Sequence, residues 1–599
     1  MKRRHFLASA TLPLLGCESA HHITGGFTGI QHERGHLLRP STGSGQAARW
    51  PAPTVTHTTR VVIAGGGVAG LAAARALRLK GMDEFALLEL EDEAGGNSRG
   101  GAVNGIACPL GAHYLPVPGD DANEVQGLLE EFGIRKRVAG RWVIDERHLC
   151  HSPQERLFFN GAWQTGLLPV QGVGRDTLAQ YQKFAALVAQ AQNAAKWTIP
   201  VSKMPLARSQ SSLLAITFIA YLNQNGLTDP HLRWYLDYCC RDDYGAGIAT
   251  VSAWAGMHYF ASRHGFAAPA GHGSATGDAG DTAESNGTGE REGVLTWPEG
   301  NAWLTRRLAA PLKERLHSGW VVVRIAAVKH GVEVDAFNPA AQTMQRWLAK
   351  RCIVALPIFV AARVVENAPD FLRQAAANIR YAPWLVANIH IKAPLQDRAG
   401  AAPSWDNVIY GGFDESSWSP EQSGPGGQTG PSGQSEPGAR SPFIGGGLGY
   451  VDATHQSLLP VPGATVLTHY RALGDVPHGR KLLMDTPWTT WRDTILAELS
   501  QAHPDLRAKA TRIDITRYGH AMAVPVPQKN GQIGLWPSSS IHNRLLNKEH
   551  SAFSANRLAF AHSDWAGYSV FEEAFTLGHA AGLGCLRPSR TRQAPFGMP

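Results

Sequence analysis

A chain of 599 residues with 43 % hydrophobic and 18 % charged side chains has globular composition, room for two to four domains and a large core. Its net charge of +7 is a weak basic bias over that length, and no basic stripe interleaved with aromatics points to nucleic acid. Seven cysteines, an odd number without a CxxC pair, argue against a zinc ribbon or a disulfide scaffold, and no other metal-site spacing occurs.

The first element is an address. Lys2-Arg3-Arg4 precedes a mildly apolar run from Phe6 to Gly16, too short to cross a bilayer. Paired arginines before such a run read as a twin-arginine export signal, and Leu14-Leu15-Gly16-Cys17 is similar to a lipobox. The expectation is a signal over residues 1–17, export in the folded state, and a periplasmic protein or one attached to the membrane through lipidated Cys17. Residues 18–55, rich in Gly, His, Ser, Thr and Pro, read as a flexible linker.

The strongest signal follows. A β-branched run, Val61-Val62-Ile63, leads into Gly65, Gly67 and Gly70, which spell GxGxxG. The first glycine permits the tight turn, the second lets backbone approach a pyrophosphate, and the third lets helix and strand pack closely. Val68 and Ala69 open an Ala-rich helix whose free N–H groups and dipole would face the phosphates. A second apolar strand, Phe85-Ala86-Leu87-Leu88, ends in Glu89, placed to accept hydrogen bonds from ribose hydroxyls. This predicts an α/β protein with a Rossmann-like dinucleotide-binding domain.

Later segments decide between dinucleotides. They are Gly95-Gly96-Asn97, Leu110-Gly111-Ala112-His113-Tyr114, Trp297-Pro298-Glu299-Gly300 before an amphipathic helix ending near Leu316, and strands at Trp320–Ile325 and Val332–Val334. Near the C-terminus stand Arg557 to Ala561, Asp564, and a helix from Val570-Phe571 to about Ala581. In this order they resemble the FAD-binding segments of the amine oxidase, phytoene desaturase and protoporphyrinogen oxidase superfamily. The resemblance implies a glutathione-reductase-type FAD domain assembled from 56–118, 293–370 and 546–590, with an α+β substrate domain from 119–292 and 371–545. It implies that Gly96 and Asn97 line the flavin side, with Asn97 where the family usually carries Arg and Arg99 two positions later. It implies that Val323 meets the adenine through its backbone, that Asp564 is the closing acid, and that Val570 and Phe571 bring a helix N-terminus to the pyrophosphate.

The same resemblance implies noncovalent FAD accepting a hydride at N5 from a small-molecule substrate, at an amine C–N bond or an apolar C–C bond, with the electron acceptor open. Several amine oxidases hold a water near N5 with a lysine on a substrate-domain strand. The comparable strand here, Leu385 to Ile391, carries Ala387 or Asn388 at that place, and Lys392 lies beyond it. His113, His520 and Tyr568 are the candidate proton-handling groups, a near-neutral imidazole being suited to take a proton, although each also reads as core. A desaturase or isomerase of an apolar substrate and a non-catalytic FAD-binding protein stay open as alternatives. Gly96-Asn97-Ser98-Arg99-Gly100 matches GxSxG by chance, since no helix start follows Ser98. Between the FAD segments, helices are expected at Thr177–Lys196, Ser212–Asn225 and Pro230–Tyr238, and loops at Ala268–Glu290 and Ser419–Ser441.

Overall fold

A five-stranded parallel sheet, ordered Leu316–His317, Phe85–Leu88, Val61–Ala64, Arg351–Val354, Leu558–Phe560, forms the floor of the first domain. The computed structural model describes residues 22–39, 50–205, 207–269, 293–411, 446–457, 462–528 and 557–586. The export signal, Cys17, the expected loops from 270 to 290 and 419 to 441, and residues 546–556 lie outside them.

The sheet is covered on both faces, as near-continuous apolar strands require. Val61, Ile63, Phe85 and Leu87 face a helical layer containing Leu71, Leu77 and Phe575. Val62, Ala64, Ala86 and Leu88 face the other way, onto Val322, Ile325, Val334 and Trp347 of a four-stranded sheet. That sheet joins Val321–Val328, Gly331–Asn338 and Thr343–Ala349 to Val55–Thr58. Alternation along each strand therefore builds three layers.

In the helical layer, Val68–Leu79 crosses Phe571–Cys585 at very close range. A Cβ on Gly578 would fall 2.0 Å from the Ala69 carbonyl oxygen, and one on Gly582 would fall 2.7 Å from that of Ala73. Glycine at both positions is what lets the two backbones meet.

The second domain hangs on an eight-stranded sheet whose long central strands are Tyr381–Ile391, Thr465–Ala472 and Ala510–Ala523. One face, with Trp384, Val386, Tyr470 and Tyr518, packs on helices Pro230–Tyr244 and Ala253–Ala261. The other, with Leu385, Ala387, Ile389 and Ile515, packs on helix Trp488–Leu499. The helix expected at Pro230–Tyr238 runs one and a half turns further. Asp229 caps its start by accepting from the His231 and Leu232 N–H groups, and left-handed Gly245 (φ 72°) ends it.

Over the described residues 22–39 and 50–55, the reading of 18–55 as a linker is corrected. Thr24–Thr28 is a parallel edge strand of the large sheet, paired with Arg512–Thr516, and His32–His36 is a short helix. The strand sequence TGGFT has no apolar alternation and little buried side chain, so backbone pairing chiefly places it, and periodicity could not reveal it.

Candidate active site

The site begins at the carboxyl ends of the parallel strands, where ligands bind in open α/β sheets. Gly65 takes φ 100° in the turn after Val61–Ala64, and a Cβ there would fall 2.3 Å from the Ala355 carbonyl oxygen. A Cβ on Gly70 would fall 1.9 Å from the Gly65 carbonyl oxygen, so this glycine serves the turn from behind and does not line the groove. Gly67 caps the helix at Val68 with no side-chain hydrogen bond, and Val570 caps the helix at Phe571 in the same way. Both helix N-termini, with their unpaired N–H groups, open on one groove of about 680 Å³ lined by Gly67, Val68, Ala69, Val570 and Phe571.

Glu89 closes one end. It accepts from the Gly66 N–H at 2.6 Å and the Glu91 N–H at 2.8 Å, leaving lone pairs on both oxygens for ribose hydroxyls. Burial raises its pKa, opposed by those two N–H groups. Gly96, at φ 60°, comes so close to Gly67 that a Cβ would meet the Gly67 Cα at 3.1 Å. Asn97 lines the groove and donates to the Ala521 carbonyl at 2.6 Å, while Arg99 donates to the Gly29 carbonyl at 2.7 Å. Val323 does not line it. A bulge between Val322 and Arg324 hands the wall to Trp320, Val321 and Val322.

Asp564 stands on the groove, accepting from the Ile358 N–H at 2.9 Å and from the Tyr381 hydroxyl. Burial would raise its pKa, but the His562 imidazole and these hydrogen bonds hold it below the usual range. Uncapped N-termini, Glu89 and glycine cradles fit a dinucleotide, and the length of the groove continues to aromatic walls suited to a flavin ring.

At that far end His113 stacks on Tyr470 with ring centroids 4.3 Å apart, and burial lowers its pKa to about 3. His520 stacks on Phe359 at 4.3 Å, and burial with the nearby Arg480, Arg363 and Arg39 lowers it to about 4. Both rings line the groove but stay neutral near pH 7, which corrects the expectation of a near-neutral imidazole. Tyr568 is misplaced as a candidate. It is fully buried off the groove, donating to Glu573 at 2.8 Å, because the tight turn at Gly567 (φ 83°) swings it inward. Asn388 is buried too, donating to the Pro109 carbonyl at 3.1 Å and accepting from Thr468 at 2.8 Å.

Sequence reasoning missed Asp242. Its carboxylate lines the groove beside Tyr114, whose hydroxyl donates to it at 3.0 Å. Burial and the adjacent Asp243 raise its pKa to about 6. Neighbouring arginines are committed elsewhere: Arg263 to Asp243 at 2.9 Å and Arg241 to Asp237 at 2.8 Å. The sequence signal was present, two adjacent acids near the end of a helix that also carries Arg233, Asp237 and Arg241, but it reads as an exposed helix end.

This fold and groove define an FAD-dependent oxidoreductase with a nucleotide domain and a substrate domain. The model of the flavin containing amine oxidoreductases matches residues 68–581, and the chain belongs to that family. Solved structures of similar fold include a putrescine oxidase bound to putrescine, at TM-score 0.56 and 15 % identity over 88 % of this chain and 99 % of that one. Cyclohexylamine oxidase from Brevibacterium oxydans has TM-score 0.56 and 15 % identity over 88 % and 98 %. A fatty acid isomerase from P. acnes that produces CLA has TM-score 0.54 and 14 % identity over 87 % and 97 %. Among curated proteins, the Baeyer-Villiger monooxygenase peniC of Penicillium patulum is 36 % identical over 120 residues, which is 19 % of each chain.

Proposed function

We propose that this enzyme oxidises an organic amine at the carbon beside its nitrogen. Asp242 carries the reading: a carboxylate on the groove wall, among aromatic rings, with no ion-pair partner among the described residues. Bound FAD supplies the hydride acceptor, its N5 atom. The chain supplies the rest. An ammonium group entering the groove favours ionised Asp242 and packs on the rings of Tyr114, Tyr470 and Trp384. Neutral His113 does not repel it. Asp242 then takes a proton from the ammonium, freeing the nitrogen lone pair that forms the C=N bond as the carbon gives up its hydride. The apolar walls exclude water from the product iminium until release.

A second reading, oxidation or isomerisation at an apolar C–C bond, draws support from the place of the family lysine, where the resemblance puts Ala387 or Asn388; Asn388 is buried and holds Pro109 and Thr468. Anaerobic mixing with a panel of amines, and separately with polyenes and unsaturated fatty acids, separates the two. Bleaching of the flavin by an amine is the expected result. Bleaching by the apolar panel alone contradicts the amine reading.

We also propose export to the periplasm, supported by Lys2-Arg3-Arg4 and the apolar run after it, with Cys17 as a lipid anchor. Cys17→Ala should move the protein from the membrane fraction to the soluble periplasmic fraction. An unchanged distribution contradicts the anchor.

A further inference from the structure

We propose that residues 22–39, which precede the region matched by the family model, are a strap that closes the FAD groove and retains the cofactor. The strap is fastened at two places along its length, to different domains. Its strand Thr24–Thr28 is paired in register from Thr24–Arg512 to Thr28–Thr516 on the edge of the substrate-domain sheet, and Phe27 lies under the Arg517 guanidinium at 3.6 Å. The chain then crosses to the nucleotide domain. There the Gly29 carbonyl accepts from Arg99 at 2.7 Å, and the Gln31 N–H donates to the Glu91 carboxylate at 3.3 Å. Arg34 donates to the Leu90 carbonyl at 2.9 Å and pairs with Asp92 at 2.8 Å.

Leu90, Glu91 and Asp92 directly follow Glu89, so the strap is tied down beside the ribose end of the groove. Ile30 and His32 between the anchors at Gly29 and Arg34, and His36, Leu38 and Arg39 just after Arg34, form part of the groove wall. The departure at Asn97 acquires a role here. The displaced arginine, Arg99, fastens the strap through Gly29 and lies 3.5 Å from Glu91. FAD held along the groove from Glu89 to Tyr470 would be walled in part by this segment, and its escape would require the strap to lift. The inference rests on FAD occupying the groove and is independent of the substrate.

Two measurements test it. Trypsin should cut after Arg34 in protein stripped of FAD and spare that site after reconstitution with FAD. Arg34→Ala and Arg99→Ala should each speed FAD loss, followed by flavin fluorescence, by about tenfold or more, as expected for losing charge-assisted hydrogen bonds. Arg315→Ala, which removes a pair with Asp83 at 3.2 Å away from the groove, should leave that rate unchanged. Equal cutting with and without FAD, or FAD loss unaffected in both strap variants, overturns the proposal. Failure to take up FAD at all overturns it too, and identifies the cofactor as the source of the failure.

Discussion

Glu573, a buried carboxylate, and Asp242, a half-buried one on the groove wall, have opposite consequences for behaviour near neutral pH. Glu573 accepts from the Val201 N–H at 2.7 Å and from Tyr568, but its second oxygen is buried without a partner among the described residues. Burial raises its pKa from 4.5 to about 7. The folded chain therefore holds a proton that the unfolded chain releases, and the contribution of Glu573 to stability falls as pH rises between those two values. Glu573→Gln should flatten the loss of melting temperature between about pH 5 and about pH 8 by ~2–4 °C. An unchanged slope contradicts a neutral Glu573. Asp242 acts on turnover. With an amine substrate, kcat/KM should rise as pH passes about 6 and Asp242 ionises. Asp242→Asn should remove that limb and lower kcat/KM by about 100-fold, the scale of losing a buried charge partner. Asp242 was illegible from sequence because its setting is supplied by Tyr114, 128 residues away. Glu89 was legible because its meaning lies in its distance from the glycines.

Two crossed helices and one strap position these groups. Gly70→Ala drives a Cβ to within 1.9 Å of the Gly65 carbonyl oxygen, so the phosphate turn must open. The variant should purify without flavin. Gly578→Ala forces apart the helices that begin at Val68 and Phe571, since its Cβ would fall 2.0 Å from the Ala69 carbonyl oxygen. Overpacking of this kind costs about 1–3 kcal/mol, so both melting temperature and FAD content should fall. Retained FAD content in either variant contradicts the geometry. The start of the closing helix at Val570-Phe571 could be read from sequence, being a local motif. The crossing at Gly578 and Gly582 could not, because a glycine inside a helix gains its meaning only from the partner that approaches it. The bulge that removes Val323 from the groove wall is likewise a property of strand pairing.

At the scale of the molecule, the groove is a seam between two sheets. Parallel strands deliver the phosphate turn and Glu89, while the antiparallel central strands of the large sheet deliver Trp384, Tyr470 and Tyr518. A ligand that bridges the seam binds only the folded chain and stabilises it by mass action, about 2.7 kcal/mol when present at 100 times its Kd. Adding FAD to stripped protein should raise the melting temperature accordingly. The most direct test of the central claim, that the helix ends at Gly67 and Val570 hold one dinucleotide with Glu89, is the flavin released when purified protein is denatured. The account predicts FAD in equimolar amount, freed without a covalent remnant, and none from Gly70→Ala. Colourless protein that takes up no FAD on reconstitution would contradict it.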